Sequence, residues 1–127
     1  ERLEEGLNDV CKSVRGSVVT VLGVSYKSNI DDCRESPSFE IIKLLKNKGA
    51  TVKIFDPFVP KESNVSDINE ALNSSDAVVL ATGHQVFKDI PLQTFVDAGV
   101  KVFVDGRNFL TKEDFIKAGI VYKGIGI

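Results

Sequence analysis

Apolar and polar positions follow one another along this chain in two rhythms. VVTVL (18–22), TVKIF (51–55), AVVLA (77–81), KVFVD (101–105) and IVYKG (120–124) are short apolar runs of strand length. Between them lie stretches whose apolar residues recur every three or four positions, the spacing of one helix face. In SFEIIKLLKNKG, Phe39, Ile42 and Leu45, with Ile41 and Leu44, form a broad apolar stripe. Ser36 and Pro37 suit the N-cap and first position of that helix, Lys46 and Lys48 its negative end, and Gly49 its stop. SDINEALNSSD (66–76) reads as a short helix capped by Ser66 or Asp67. HQVFKDI and PLQTFVDAG read as two helical pieces, and TKEDFIKAG (111–119) as a helix capped by Thr111.

The strand runs are continuous rather than alternating, which marks strands buried on both faces of a parallel sheet. The pattern therefore predicts an α/β fold: a Rossmann-like, doubly wound, mainly parallel sheet of about five strands, with 120–124 at an edge. At the start, Leu3, Leu7, Val10 and Val14 have helical spacing, and no capping residue precedes Glu1. Residues 1–15 are accordingly read as the tail of a long connecting helix, and residues 16–127 as one domain.

Composition narrows the possibilities further. The chain has 127 residues, 27% charged, with a net charge of −2. That length supports one domain with a real core, and that balance excludes a strongly basic nucleic-acid binder. No apolar run has the length of a membrane span, so a cytoplasmic protein without membrane contact is expected. One histidine and two cysteines, Cys11 and Cys33, make neither a metal cluster nor a disulfide framework. Asn64 and Asn73 begin glycosylation triplets that are read as chance.

Ligands of open parallel sheets bind outside the carboxyl ends of the strands. The loop after the first strand, GVSYKSNIDDCRESP, carries Tyr26, Lys27, Asp31, Asp32, Arg34 and Glu35. Asp56 follows the second strand, Thr82, Gly83 and His84 the third, and Asp105, Gly106 and Arg107 the fourth. Lys27, Arg34, His84 and Arg107 are thus expected on one rim that attracts phosphate. A dinucleotide turn starting at Gly23 would need glycines where Ser25 and Ser28 stand. Asp56 could hold a ribose or could cap a turn, and His84 is read as making a loop-capping hydrogen bond in preference to a ligand contact. The charged loop could be a cradle of side chains or a solvated loop laced with surface ion pairs. Residue chemistry leaves those two readings level. A phosphate-binding loop ending in Gly-Lys-Ser/Thr is absent, and a receiver domain lacks its acids at the strand ends.

Taken together, GVSYKSNIDDCRESP, ATVKIFDPFVP, DAVVLATGHQVFK, VFVDGRN and the closing YKGIG resemble, in order, the C-terminal domain of the UDP-glucose/GDP-mannose dehydrogenase family. Within it the sequence looks most like UDP-N-acetyl-D-mannosamine dehydrogenases. The resemblance covers residues 16–127. It implies part of an enzyme that oxidises a sugar alcohol carbon of a UDP-sugar to a carboxylate in two NAD-linked steps. By that resemblance Tyr26, Lys27 and Arg107 bind the substrate, and Arg34 reaches NAD. The NAD-binding domain and the central helical segment with the catalytic cysteine would lie elsewhere in a parent chain that is a homodimer or larger. Cys33 is not read as that cysteine, so the fragment alone is expected to be inactive. A stand-alone NAD-binding module and a non-catalytic interaction domain are the competing readings.

Overall fold

The computed structural model describes residues 2–9, 13–24, 38–106 and 112–124. Helix α1 (Arg2–Asp9) precedes strand β1 (Val18–Leu22). Helix α2 (Ser38–Asn47) then leads to β2 (Thr51–Phe55), a 3₁₀ turn (Pro60–Glu62) and α3 (Ile68–Leu72). Next come β3 (Ala77–Leu80), α4 (Gln85–Lys88), α5 (Leu92–Asp97), β4 (Val102–Asp105), α6 (Lys112–Lys117) and β5 (Val121–Gly124). The strands and α2, α4, α5 and α6 lie within one or two residues of their forecast ends. Helix α3 stops at Leu72, four residues short of its forecast, and the helix expected over 1–15 is seen as Arg2–Asp9, with 13–15 outside it. Ser36, Pro37 and Thr111, the caps assigned to α2 and α6, lie outside the described residues, as do Val10, Cys11 and Cys33.

The five strands form one parallel sheet in the order β2-β1-β3-β4-β5. β1, β3 and β4 are buried almost end to end, as continuous apolar runs demand. β2, at one edge, alternates between exposed and buried positions. Its open side is covered by Asn64, whose side chain accepts from Ile54 N at 2.6 Å and donates to Val52 O at 3.0 Å. Asn64 N also donates to Ile54 O, so an edge that could recruit a foreign strand is satisfied within the chain.

Successive strand residues point to opposite faces, which divides the core in two. On one face Val19, Val21, Val79, Val102 and Val104 pack under α1 and α2 through Leu3, Leu7, Ile42 and Leu45. On the other, Leu22, Val78, Leu80 and Phe103 meet Leu72, Phe87, Phe95 and Phe115. The Phe103 ring lies 5.3 Å from Phe95 edge-on and 4.6 Å from Phe115. Helix α1 packs against β4 and β5, the part of its face that α2 does not cover. Gly6 permits the approach: a Cβ there would come within 2.5 Å of Val102 Cγ1.

Asp67 caps α3 by accepting from Glu70 N at 2.8 Å, and Glu70 Oε1 accepts from Ser66 N in return. Within β1, the buried Thr20 hydroxyl reaches Ala71 O at 2.6 Å and the Ser75 hydroxyl, pinning the end of α3 to the sheet.

Candidate functional site

The carboxyl ends of the strands stop at one level. Leu22 pairs with Phe55 on one side and Leu80 on the other, Leu80 with Asp105, and Asp105 with Gly124. The chain leaves β1 at Gly23 and β4 at Gly106, two strand spacings or about 10 Å apart. The order reverses between β1 and β3, because β2 lies on one side of β1 and all later strands on the other. Such a reversal opens the crevice in which doubly wound sheets bind ligands.

Gly23 is fitted to this exit. Its φ is +102°, and a Cβ there would lie 2.5 Å from Thr82 Cβ. Only a residue without a side chain fits between β1 and the start of the β3 loop. Gly23 N donates to Phe55 O, and Ala81 N donates to Leu22 O, so both neighbours hold the end of β1.

Asp56 and His84 meet over that end, each with no exposed side-chain surface. Asp56 Oδ2 accepts from Val24 N at 2.8 Å and from His84 Nε2 at 3.0 Å. Its Oδ1 accepts from Phe58 N at 2.9 Å. A carboxylate offers acceptors only, which fixes Nε2 as the protonated nitrogen. The imidazole is packed by Phe58, ring centres 4.5 Å apart, and by Phe87 at 5.4 Å. Ser63 Oγ accepts from Asp56 N, closing the turn after β2.

At the end of β4, Asp105 is buried, and its Oδ2 accepts from the Tyr122 hydroxyl at 2.6 Å. Burial pushes the Tyr122 phenol above its usual range, and the bond to Asp105 and its charge push in the same direction.

Two sequence expectations are settled here. Asp56 caps its turn, as one of the two readings had it, and is not presented to a ribose. His84 stands at the expected end of the sheet and is wholly buried in its hydrogen bond to Asp56, which is the loop-capping reading, so it is not part of a solvent-facing phosphate rim. A bond between residues 28 apart, over a strand belonging to neither, leaves no local pattern in sequence. Tyr26, Lys27, Arg34 and Arg107, with Asp31, Asp32 and Glu35, lie outside the described residues. What is fixed is where their segments begin, at Gly23–Val24 and at Gly106.

A groove of about 890 Å³ lies between α3 and α5, lined by Asp67, Glu70 and Asp97 among others. Three carboxylates make it a poor host for a phosphate. No group of three or more metal-ligating side chains occurs among the described residues, and no described helix is long and apolar enough to cross a membrane.

Fold and edge together define a doubly wound α/β domain whose candidate site is the crevice at the β1/β3 reversal. Residues 20–112 match the UDP binding domain of the UDP-glucose/GDP-mannose dehydrogenase family, and the chain belongs to that family. A UDP-N-acetyl-D-mannosamine dehydrogenase of Methanococcus maripaludis is 34% identical over 98% of this chain and 34% of its own length. The UDP-glucose 6-dehydrogenase TuaD of Bacillus subtilis is 34% identical over 92% of this chain and 28% of its own. Among solved structures, a UDP-D-ManNAc dehydrogenase from Pyrococcus horikoshii superposes with a TM-score of 0.88 at 28% identity, covering 98% of this chain and 29% of that one. An NDP-N-acetyl-D-galactosaminuronic acid dehydrogenase from Methanosarcina mazei gives 0.92 at 31%, covering 98% and 28%. The chain thus spans about a third of the length of these relatives.

Proposed function

We propose that this chain is the UDP-sugar-binding C-terminal part of an NAD-dependent nucleotide-sugar 6-dehydrogenase. Its parent oxidises the substrate's sugar alcohol carbon to a carboxylate in two steps. UDP-N-acetylmannosamine is the proposed substrate and UDP-glucose the alternative: relatives named for each are 34% identical to this chain, the former over 98% of it and the latter over 92%. In this reading Tyr26, Lys27 and Arg107 bind the UDP-sugar, and Arg34 reaches an NAD held by another part of the parent. Arg107 offers a planar fork to phosphate oxygens, and Lys27 a mobile point charge. Closure of the parent around the bound pair would exclude water and strengthen those contacts.

One observation supports the reading most: the level register of Leu22, Leu80 and Asp105. It starts the segments bearing Lys27 and Arg107 at one level, on either side of β3, at the edge where the strand order reverses. The described residues do not fit a dinucleotide of their own. Asp56, where a ribose acid would stand, is buried and accepts three N–H bonds. This weighs against a stand-alone NAD-binding module.

Calorimetric titration tests the proposal. UDP is expected to bind this chain, NAD to bind more weakly or not at all, and Arg107→Ala to weaken UDP by about tenfold or more, the worth of a charge-assisted hydrogen bond. Equal UDP affinity of wild type and Arg107→Ala would remove Arg107 from the site. NAD binding tighter than UDP would replace this function with the dinucleotide module.

A further inference from the structure

Asp56 follows β2, His84 follows β3, and β1 lies between those two strands. Their contact therefore closes over the point where the chain leaves β1. Two successive amides at that point are held from the β2 side: Gly23 N by Phe55 O and Val24 N by Asp56 Oδ2. The first bond continues the sheet ladder. The second is a side-chain bond to the amide that follows.

A turn of this kind needs only one acceptor for Phe58 N, which an exposed Asp or Asn supplies. Here the carboxylate is buried, which is costly unless donors surround it. His84 is one of those donors, and its ring is itself wedged between Phe58 and Phe87. The arrangement is more than the turn requires, and what it adds is a fixed Val24.

We propose that Asp56, oriented by His84, is a positioning residue for nucleotide binding. It fixes the direction in which the chain leaves the sheet at Val24, two and three residues before Tyr26 and Lys27. Neither Asp56 nor His84 touches the ligand in this role. The proposal rests on the UDP-binding function above.

The test uses this chain with Asp56→Ala, His84→Leu and His84→Gln, reading UDP affinity by calorimetry and amide exchange at Val24 by NMR. Removing the acceptor or its orienting donor is expected to weaken UDP binding by about tenfold, the scale of one hydrogen bond to a charged group. Val24 exchange should quicken in the same two variants. His84→Gln keeps an N–H donor and is expected to retain both affinity and protection. A purely structural pair would lower the melting temperature and leave the UDP Kd of the folded variants unchanged. Wild-type affinity in folded Asp56→Ala overturns the proposal; if that variant does not fold, wild-type affinity in His84→Leu does so. If the wild type itself binds no UDP, the function falls, and Val24 exchange alone decides the role: unchanged protection in the variants overturns it.

Discussion

Tyr122 shows how one residue can tie stability to pH. It sits on the edge strand β5, opposite Phe103 in register, and donates its hydroxyl to the buried Asp105. Burial, then the bond and charge of Asp105, hold its pKa above the unperturbed value of 10.0. A proton bound more tightly in the folded state contributes stability that is fully present below the unfolded pKa. Above about pH 10 the unfolded chain releases that proton while the folded chain keeps it, so stability falls as pH rises. Urea unfolding from pH 9 to 11 is expected to show this decline in the wild type and a shallower one in Tyr122→Phe. At neutral pH the variant should lose about 1–3 kcal/mol, because Asp105 is left buried without that donor. Parallel curves for the two proteins would mean the phenol does not titrate against the fold. This pair was invisible in the sequence. Asp105 was identified as a strand-end acid, but nothing local says that its donor comes from the next strand.

Elements were easier to read than their neighbours. The periodicity of Leu3 and Leu7 marks a helix, read from the sequence as the tail of a connecting helix. The packing shows α1 as part of the domain's own core: Leu7 has no exposed surface, and Gly6 sits against Val102. Amphipathicity says that a helix has a buried face, not which surface it covers. Leu7→Ala separates the two roles. For a helix built into the core it should cost about 2–5 kcal/mol, the range for a buried leucine truncated in place. For an appended connector the cost would stay within about 0.5 kcal/mol, as at surface sites. Chemical denaturation of this chain measures the difference directly. The connection after β2 teaches the converse. It read as turn-rich, yet Asn64 within it completes the hydrogen bonding of an edge strand.

For the molecule as a whole, the fold class was legible because three central strands are buried on both faces and write that burial as unbroken apolar runs. The order β2-β1-β3-β4-β5 was not, since apolar runs do not name their partners. The strand-end rule brings Asp56, His84 and Asp105 to one edge, but it does not tell an exposed side chain from a buried one, and all three are buried. Charge distribution now gives the site a further test. The chain is net −2, and the α3–α5 groove is acidic. In the proposed reading an anionic ligand depends on Lys27, Arg34 and Arg107, whose segments follow the carboxyl ends of β1 and β4. Exposed charges separated by more than the Debye length, about 8 Å at physiological salt, are screened. If the basic side chains carry recognition, UDP should weaken severalfold between 0.05 and 0.5 M salt, and uridine, which lacks phosphate, should bind poorly at either. Saturation with UDP at about 100 times its Kd should stabilise the chain by about 2.7 kcal/mol. Thermal unfolding with UDP, uridine and no ligand at two salt concentrations reads all three quantities. A uridine shift equal to that of UDP, indifferent to salt, would transfer recognition from the phosphates to the base and strip the basic segments of their role.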